Sequence, residues 1–327
     1  KDFTSDQEVR WCPGCGDYAV LATFQGLMPT LGIKRENTVI VSGIGCSSRF
    51  PYYVDSYGMH SIHGRAPAIA TGVAMTRPDL AVWVVTGDGD ALSIGGNHLI
   101  HALRRNVNIT IMLFNNRIYG LTKGQYSPTS EQGKVTKSTP AGSVDRPFNP
   151  VSLALGAEAT FVARTVDSHR AHLSKVLTAA ISHRGASFVE IYQNCPIFND
   201  GAFDALKGAD SGLIPLRHGE PIVFGPDGSR GVVRDAGGHL QTAEVAEVGL
   251  ENVLVHDAHH DDPGQAFAIS RLTDLAGLQS SPIGIFRDVE RPAYDDLARD
   301  QLSDVSDQPQ RLAQLQDLVA GTDTWQV

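Results

Sequence analysis

The sequence predicts an α/β fold in which a parallel β-sheet carries helices on both faces. Three observations lead to this prediction: strand-like segments that are apolar throughout, helix-like segments that alternate with them over residues 1–200, and polar side chains placed directly after the strands. Strands without a polar face belong to a sheet covered on both sides, and helical crossovers make such a sheet parallel. A smaller, irregular C-terminal extension is expected to follow.

Each element of the main domain has its own pattern. Buried strands are predicted over 37–45, 80–87, 108–116 and 187–195, and helices over 65–78, 91–105 and 167–185. The first helix has Pro67 in its first turn and Pro78 beyond its end, where proline is tolerated. Residues 116–150 are rich in Gly, Ser, Thr and Pro without periodicity, which predicts a long functional loop.

The chain changes character near residue 200. Residues 1–200 carry 18 basic and 15 acidic side chains, whereas residues 201–327 carry 9 and 21. Short strand-like segments follow that point, at residues 221–225, 230–235, 252–257 and 282–288. We therefore predict a main domain over residues 1–200 and a C-terminal extension over residues 201–327.

Composition excludes several classes of protein. Of the 327 residues, 42% are hydrophobic and 19% are charged, as in ordinary globular proteins. No apolar run approaches the roughly 20 residues that cross a bilayer, and the N-terminal residues contain no signal-peptide core. The excess of acidic side chains over residues 201–327 argues against duplex nucleic acid as a partner, because binding phosphates needs clustered Lys and Arg. We expect a cytoplasmic protein that binds neither a membrane nor nucleic acid.

Four cysteines are candidates for one shared metal centre. Cys12 and Cys15 form a Cys-Pro-Gly-Cys pair, and Cys46 and Cys195 each follow a predicted strand. The carboxyl ends of parallel strands meet at one edge of the sheet, so the four thiols can converge there. Spacing alone leaves open a structural zinc, an iron–sulfur cluster, a redox pair and buried cysteines without a ligand.

The segment from Gly87 to Asn116 indicates a site for a diphosphate and Mg²⁺. Asp88 follows one predicted strand and Asn116 the next, which puts two oxygen ligands suited to Mg²⁺ on neighbouring strand ends. The glycines beside Asp88 let a diphosphate approach the backbone, and the following helix offers free N–H groups. Gly-Asp-Gly alone is most often a turn or a helix cap. Its spacing to Asn-Asn within one strand–helix–strand unit makes the pair specific.

Together these motifs resemble those of a known family. Gly-Asp-Gly followed by Asn-Asn is similar to the thiamine diphosphate-binding motif. The remaining motifs are WCPGCG (11–16), GIGCSSR (43–49), HGR (63–65) and GLTKGQYSPT (120–129). With them, the chain resembles the beta subunit of 2-oxoacid:ferredoxin oxidoreductases, most closely the 2-oxoglutarate (KorB) type. The resemblance covers nearly all of residues 8–200 and implies a thiamine diphosphate-binding fold.

The resemblance implies ligands for three groups. A 4Fe-4S cluster would be held by Cys12, Cys15, Cys46 and Cys195. Mg²⁺ would be held by Asp88, Asn116 and the carbonyl group of Ile118. Thiamine diphosphate would be lined by Ile44, Gly45, Cys46, Ser47, His63, Gly64, Arg65, Ala66, Gly87, Gly89, Asp90, Gly120 and Leu121. Two cations beside these segments, Arg49 and Lys123, are candidates for binding a substrate carboxylate.

The implied reaction is the oxidative decarboxylation of a 2-oxoacid, with 2-oxoglutarate favoured, to acyl-CoA and CO2. Electrons would pass through the cluster to ferredoxin, and the chemistry also allows the reverse reaction. In this family the glutamate that activates thiamine comes from an alpha subunit, which predicts an assembly of two alpha and two beta chains. The C-terminal extension would cover the active site or contact that subunit. Alternatives are pyruvate as substrate, a non-oxidative thiamine enzyme with a structural zinc, and a cluster protein without thiamine.

Two further patterns predict no site. Residues 42–48 lack the third glycine of a dinucleotide fingerprint, which argues against a nicotinamide cofactor. His256, His259 and His260 match no standard metal spacing and are predicted to lie in an exposed polar loop.

Overall fold

The computed structural model describes residues 2–208, 211–303 and 308–321. Within them, the strands are β1 (Thr38–Ser42), β2 (Tyr57–His60), β3 (Ala81–Gly87), β4 (Ile109–Asn115), β5 (Phe161–Val166), β6 (Ala186–Tyr192), β7 (Leu213–Leu216), β8 (Val223–Phe224), β9 (Arg230–Arg234), β10 (Leu240–Glu244) and β11 (Ser281–Asp288). The helices are α1 (Asp17–Leu27), α2 (Phe50–Tyr53), α3 (Ala66–Thr76), α4 (Asp88–Leu92), α5 (Gly96–Arg104), α6 (Pro150–Gly156), α7 (Arg170–Ser182), α8 (Val245–Val248), α9 (Gly264–Ser270), α10 (Tyr294–Ser303) and α11 (Gln308–Ala320).

Eight strands form one mostly parallel sheet, in the order β2-β1-β3-β4-β6-β5-β11-β7. Among the described residues, β11 and β5 form the only antiparallel pair in this sheet, and all its other neighbouring strands are parallel. The predicted fold class is therefore confirmed. Two strands of this sheet, β7 and β11, come from beyond residue 200. The sheet therefore contains strands from both sides of the predicted domain boundary. A separate antiparallel sheet has the order β10-β9-β8.

Two hydrophobic cores cover the two faces of the sheet. Alternate residues of a strand point to opposite faces, so Val39 and Val41 of β1 join the core that contains α3, α5, α6 and α9. Ile40 joins the core built with α1 and α7. This arrangement explains why the residues of β1, β3 and β4 are mostly apolar, because the central part of the sheet is covered on both faces.

Two sequence predictions differ from the structure. The helix predicted over 91–105 is two helices, α4 and α5, because the chain turns at Gly95, whose N–H donates to the carbonyl of Asp90 at 3.1 Å. The strand predicted over 252–257 is wrong: it contributes a single β-bridge, between Val255 and Pro221. The backbone hydrogen bonds of this segment go to two separate parts of the chain. Leu254 N donates to the carbonyl oxygen of Val232, and His256 N donates to the carbonyl oxygen of Glu220.

The long loop predicted after β4 is present, since no helix or strand is assigned between Asn115 and Pro150. It folds back over the carboxyl ends of β3 and β4, as the contacts below show. Among the described residues, no helix combines the length and the apolar character needed to span a bilayer.

Candidate functional site

The carboxyl ends of four parallel strands bring the predicted site residues together. Cys46 follows β1, Asp88 follows β3, Asn116 follows β4 and Cys195 follows β6. These strands are consecutive in the sheet, and their ends border two adjoining cavities of about 190 and 90 Å³. Residues from distant parts of the sequence therefore meet at one edge, as expected for ligand sites in open α/β sheets.

The larger cavity, called here the cysteine cavity, has all four cysteines in its wall. Its lining residues are Arg10, Trp11, Cys12, Cys15, Cys46, Arg49, Asn116, Gly120, Leu121, Lys123, Gln193, Cys195, Pro196, Ile197 and Phe198. None of the four thiols forms a disulfide. A Cβ atom placed on Gly120 would lie 3.5 Å from Cys46 Sγ and 3.8 Å from Cys195 Sγ, so the backbone here passes close to two of the sulfurs.

The environments of Cys15 and Cys46 disfavour free thiolates. Burial, reinforced by the neighbouring Asp17 carboxyl group, raises the pKa of Cys15 and raises the pKa of Cys46 to about 11. Reactive cysteine pairs have the opposite property, a lowered pKa, so this arrangement is unlike a thioredoxin-type redox pair. A metal centre would supply the positive charge that deprotonates such thiols.

Two side chains fix the segments that carry the cysteines. Trp11 Nε1 donates a hydrogen bond of 2.7 Å to the carbonyl oxygen of Cys46. Gln193 Nε2 donates a hydrogen bond of 3.3 Å to Cys15 Sγ. Trp11 stands beside the cysteine pair in the quoted motif, whereas no sequence pattern distinguished Gln193.

The smaller cavity is lined by the Gly-Asp-Gly turn and is called here the diphosphate pocket, after the ligand predicted from the sequence. Its lining residues are Ile44, Gly45, Cys46, Ser47, His63, Gly87, Asp88, Gly89, Asp90, Phe114, Asn116, Ile118, Tyr119, Gly120, Leu121 and Thr122. Most of the predicted thiamine and Mg²⁺ residues are in this wall. Gly64, Arg65 and Ala66 are not: they lie behind it, at the start of α3.

Asp88 is buried and held by two hydroxyl groups. Ser127 Oγ and Thr129 Oγ1 donate to its Oδ2 atom at 2.5 and 2.6 Å. Burial raises the pKa of Asp88 to about 6, and these hydrogen bonds oppose the rise. Both hydroxyls come from the loop after β4, and Thr129 Oγ1 also lies 2.8 Å from Asn115 Oδ1. Sequence analysis assigned no role to either residue, although both lie in the quoted 120–129 motif.

Asp90 holds three segments around the pocket. Its carboxylate accepts hydrogen bonds from Ile44 N at 3.1 Å, Gly64 N at 2.7 Å and Thr86 Oγ1 at 2.7 Å. His63 Nδ1 lies 2.6 Å from Asp90 Oδ1. These contacts use the carboxylate oxygens within the protein, so Asp90 shapes the pocket by fixing the loops after β1 and β2.

One glycine of the Gly-Asp-Gly turn is required by close packing. A Cβ atom on Gly89 would lie 2.2 Å from the ring of Tyr119, well inside contact distance. Tyr119 Oη in turn donates to the carbonyl oxygen of Gly89 at 2.9 Å. The backbone of the turn thus lies directly against the chain after β4.

The predicted cations lie around the cysteine cavity and behind the pocket. Arg49 and Lys123 line the cysteine cavity, and Arg49 Nη1 donates to the carbonyl oxygen of Arg10 at 2.9 Å. Arg65 contacts His98 Nε2 through its guanidinium group. None of these contacts reaches the diphosphate pocket.

A buried ion pair supports the pocket from below. Arg164 Nε and Glu190 Oε2 are 2.6 Å apart, and neither side chain is exposed. Glu190 Oε1 accepts a hydrogen bond of 2.7 Å from Asn115 Nδ2. Through Asn115 and Thr129 the pair is connected to Asp88. Sequence analysis missed this network because its members lie on separate strands.

Neither cavity presents a closed site for a single metal ion. In residues 2–208, 211–303 and 308–321, no three His, Cys, Asp or Glu side chains are grouped closely enough to bind one ion. The four thiols instead surround a cavity, a donor set that fits a polynuclear cluster with cysteine ligands. Asp88, Asn116 and Ile118 offer oxygen atoms around the other pocket, the ligand type that Mg²⁺ prefers.

The predicted exposed loop of three histidines is only partly correct. His259 and His260 are exposed, but His256 is buried, with 1% of its surface accessible. His256 Nε2 lies 2.7 Å from the carbonyl oxygen of Ile285 in β11, which anchors the segment to the main sheet.

Known proteins resemble the chain in sequence. The family model of the thiamine pyrophosphate enzyme C-terminal TPP-binding domain matches residues 43–191. The 2-oxoglutarate oxidoreductase subunit KorB of Mycobacterium tuberculosis is 66% identical over 330 aligned residues, covering 100% of this chain and 88% of that protein. The beta subunit of 2-oxoacid:ferredoxin oxidoreductase 1 from Aeropyrum pernix is 45% identical over 190 residues, which are 58% of this chain and 60% of that protein.

A solved structure has the same fold. The 2-oxoglutarate:ferredoxin oxidoreductase from Magnetococcus marinus, determined with 2-oxoglutarate, coenzyme A and succinyl-CoA bound, superposes with a TM-score of 0.76 and 34% sequence identity. The match covers 96% of this chain and 94% of that one, so it includes residues on both sides of position 200.

Proposed function

The chain belongs to the beta subunits of 2-oxoacid:ferredoxin oxidoreductases, of the 2-oxoglutarate type, and on this premise we propose how its two cavities share the reaction. The reaction is the oxidative decarboxylation of 2-oxoglutarate with coenzyme A to succinyl-CoA and CO2. Two electrons leave one at a time through a 4Fe-4S cluster to ferredoxin, and the reverse reaction is also available. The observation that carries this proposal is the position of four cysteines beside the diphosphate pocket, with Cys46, Asn116, Gly120 and Leu121 in both walls.

The diphosphate pocket is the proposed thiamine site. The matched TPP-binding domain supports thiamine diphosphate as the cofactor, and Asp88, Asn116 and the carbonyl of Ile118 are the proposed Mg²⁺ ligands. Gly87 lines the pocket without a side chain that would keep the diphosphate from the backbone, and the missing side chain of Gly89 makes room for Tyr119. Asp90 keeps the loops after β1 and β2 in place. Gly64, Arg65 and Ala66 support the pocket from outside its lining.

The cysteine cavity is the proposed cluster site. Cys12, Cys15, Cys46 and Cys195 would bind the iron atoms, and Trp11 and Gln193 hold the cysteine segments. Bound thiamine diphosphate supplies the nucleophilic carbon that cleaves 2-oxoacids, and a 4Fe-4S cluster supplies a one-electron acceptor. The protein's part is to hold both groups side by side and to limit the access of water.

Arg49 and Lys123 are the proposed binding residues for the substrate carboxylate. Arg49 has a second proposed role, which is to favour the thiolate form of Cys46. Both line the cysteine cavity, next to Gly120 and Leu121 of the shared wall. Arg49 also acts on Cys46, whose pKa its positive charge lowers against the larger effect of burial. Its charge therefore favours thiolate ligation at Cys46 whether or not a substrate is bound.

A beta subunit implies a partner subunit, and we propose the assembly of two alpha and two beta chains. The activating glutamate would come from the alpha subunit. The C-terminal region offers a surface for that contact: in α11, Leu312, Leu315, Leu318 and Val319 lie at helical spacing and are exposed. Cover of the active site by this region stays an alternative role.

Metal analysis of the anaerobically purified alpha–beta complex tests the proposal. Iron and acid-labile sulfide in equal amounts, near four of each per beta chain, are expected for one cubane cluster. Zinc without sulfide would instead indicate a non-oxidative thiamine enzyme and contradict the electron path. Asp88→Ala should abolish thiamine-dependent turnover while leaving the cluster absorbance intact. Unchanged turnover in that variant would contradict the thiamine site.

A further inference from the structure

Gln193 is a buried amide in the wall of the cysteine cavity. It follows β6, two residues before Cys195, and only 1% of its surface is exposed. Its backbone N–H donates to the carbonyl oxygen of Asn115 at 3.0 Å, which continues the pairing of β6 with β4 by one residue. The position of Gln193 is therefore set by the central sheet and not by a mobile surface loop.

The orientation of the Gln193 amide is fixed by its neighbours. Nε2 donates to the carbonyl oxygen of Asn194 at 2.5 Å and to Cys15 Sγ at 3.3 Å. Because a carbonyl oxygen only accepts hydrogen bonds, the nitrogen and not Oε1 must face Asn194. The second N–H of the same nitrogen is then directed at the sulfur. Asn194 O also accepts from Gly16 N at 3.1 Å, which joins the cysteine-pair segment to the end of β6.

Burial and the Asp17 carboxyl group oppose negative charge on the Cys15 sulfur, and the backbone N–H of Asp17 offsets only part of their effect. Asp17 is buried, and Cys46 and Cys195 are close enough to interact electrostatically with Cys15. The Gln193 N–H presents the positive end of a dipole to the same atom. Reduction of an iron–sulfur cluster increases the negative charge on its sulfur ligands, and hydrogen bonds to those sulfurs stabilise the reduced form.

We propose that Gln193 raises the reduction potential of the cluster by donating its N–H···S hydrogen bond to Cys15. The inference rests on the proposed 4Fe-4S cluster. One electron enters the cluster on reduction, and no proton moves and no covalent bond changes at Gln193. Gln193 is thus a positioning residue that acts on the electron acceptor through one of its ligands.

A redox titration monitored by EPR tests this role in the anaerobic alpha–beta complex. Gln193→Met keeps most of the side-chain volume and removes the donor, and Gln193→Glu places a carboxylate oxygen beside the sulfur. At the ambient potential that half-reduces the wild-type cluster, we expect the ratio of reduced to oxidised cluster to fall several-fold in the first variant. In the second variant this ratio should fall about tenfold, which for a one-electron couple corresponds to a reduction potential lower by about 59 mV.

Gln25→Met is the matched control. Gln25 Nε2 donates to the carbonyl oxygen of Tyr53 at 2.8 Å, so the control removes a partly buried amide donor that does not face a sulfur. Its cluster should titrate as in the wild type. The iron and sulfide content of every variant is measured alongside, so that loss of the cluster is separated from a change in its potential.

Three outcomes would overturn the inference, and they differ in whether the proposed function is overturned with it. A wild-type complex without iron, sulfide or an EPR signal would remove the proposed function together with it. Loaded Gln193 variants that titrate at the wild-type potential would remove only the tuning role. Loss of the cluster from both Gln193 variants would show that the residue supports the cysteine segment structurally and does not set the potential.

Discussion

The buried ion pair of Arg164 and Glu190 gives the largest expected effect on stability. The two residues face each other across β5 and β6, and both side chains are fully buried. The other guanidinium nitrogens are bound by neutral oxygen atoms from Asn149, Thr273, Ser281 and Pro282. Glu190 therefore supplies the negative charge that directly contacts the guanidinium group.

The substitution Glu190→Gln removes that charge while keeping the shape of the side chain. The single acceptor oxygen of glutamine can serve Asn115 or Arg164 but not both, so the loss combines the charge with one hydrogen bond. Breaking a buried pair while one charge remains costs about 3–5 kcal/mol. Arg164 cannot escape the cost by releasing its proton, because guanidinium stays charged in proteins. Native domains are stable by only about 5–15 kcal/mol, so the variant should lose a large part of its free energy of unfolding.

Urea unfolding of the full chain at pH 7, followed by circular dichroism, measures this loss. Asp79→Asn is the control, because it removes an exposed carboxylate paired with Arg77 at 2.7 Å. Exposed pairs contribute little, so the control should unfold at the urea concentration of the wild type. A Glu190→Gln variant that loses less than about 1 kcal/mol would refute the reasoning that Glu190 compensates a buried charge.

Three further predictions concern the diphosphate pocket and pH. Thr129→Val removes a hydroxyl that orients Asp88, and calorimetry should show about 10–100-fold weaker Mg²⁺ binding in the presence of thiamine diphosphate. Gly89→Ala places a Cβ atom against Tyr119 and should abolish thiamine diphosphate binding, measured by fluorescence titration. Burial lowers the pKa of His172 from 6.5 to about 4, so the unfolded chain binds the proton more tightly and the melting temperature should fall as pH drops from 6.5 towards 4. His172→Gln should flatten that part of the profile.

Matched variants separate these effects from general destabilisation. Thr178→Val removes a hydroxyl that bonds only within α7, to the carbonyl oxygen of Ser174, and should leave Mg²⁺ binding unchanged. Gly26→Ala adds a Cβ atom that meets nothing within 4 Å, and should bind thiamine diphosphate normally. Wild-type affinity in Thr129→Val or Gly89→Ala would contradict the corresponding contact. An unchanged pH profile in His172→Gln would assign the acid sensitivity to another group.

Sequence reasoning predicted those elements whose local pattern matches their environment. β3 and β4 were predicted within a residue or two of each end, because strands buried on both faces must be apolar along their whole length. β5 was missed for the opposite reason: Arg164 interrupts its apolar run, and the charge is tolerated only because Glu190 lies on the neighbouring strand. β2 was missed because all four of its residues are exposed at the sheet edge.

Sequence analysis predicted the site residues that follow the strands, but it did not predict the residues that hold them in place. Asp88 and Asn116 could be paired from spacing, because one strand–helix–strand unit separates them. Ser127 and Thr129 could not be connected to Asp88, because they lie in a loop without periodicity and only the folded chain brings their hydroxyls to the carboxylate. Contacts of this kind depend on tertiary folding, which local patterns do not encode.

The two cavities are joined by hydrogen bonds as well as by their shared wall. Asn199 N donates to the carbonyl oxygen of Cys195 at 3.0 Å, and Asn199 Nδ2 donates to the carbonyl oxygen of Asn116 at 2.9 Å. Lys134 Nζ fixes the same side chain by donating to its Oδ1 atom at 2.6 Å. One buried asparagine therefore spans from a proposed cluster ligand to a proposed Mg²⁺ ligand. Because one side chain bonds both loops, a displacement of the loop after β6 relative to the loop after β4 must break at least one of these hydrogen bonds.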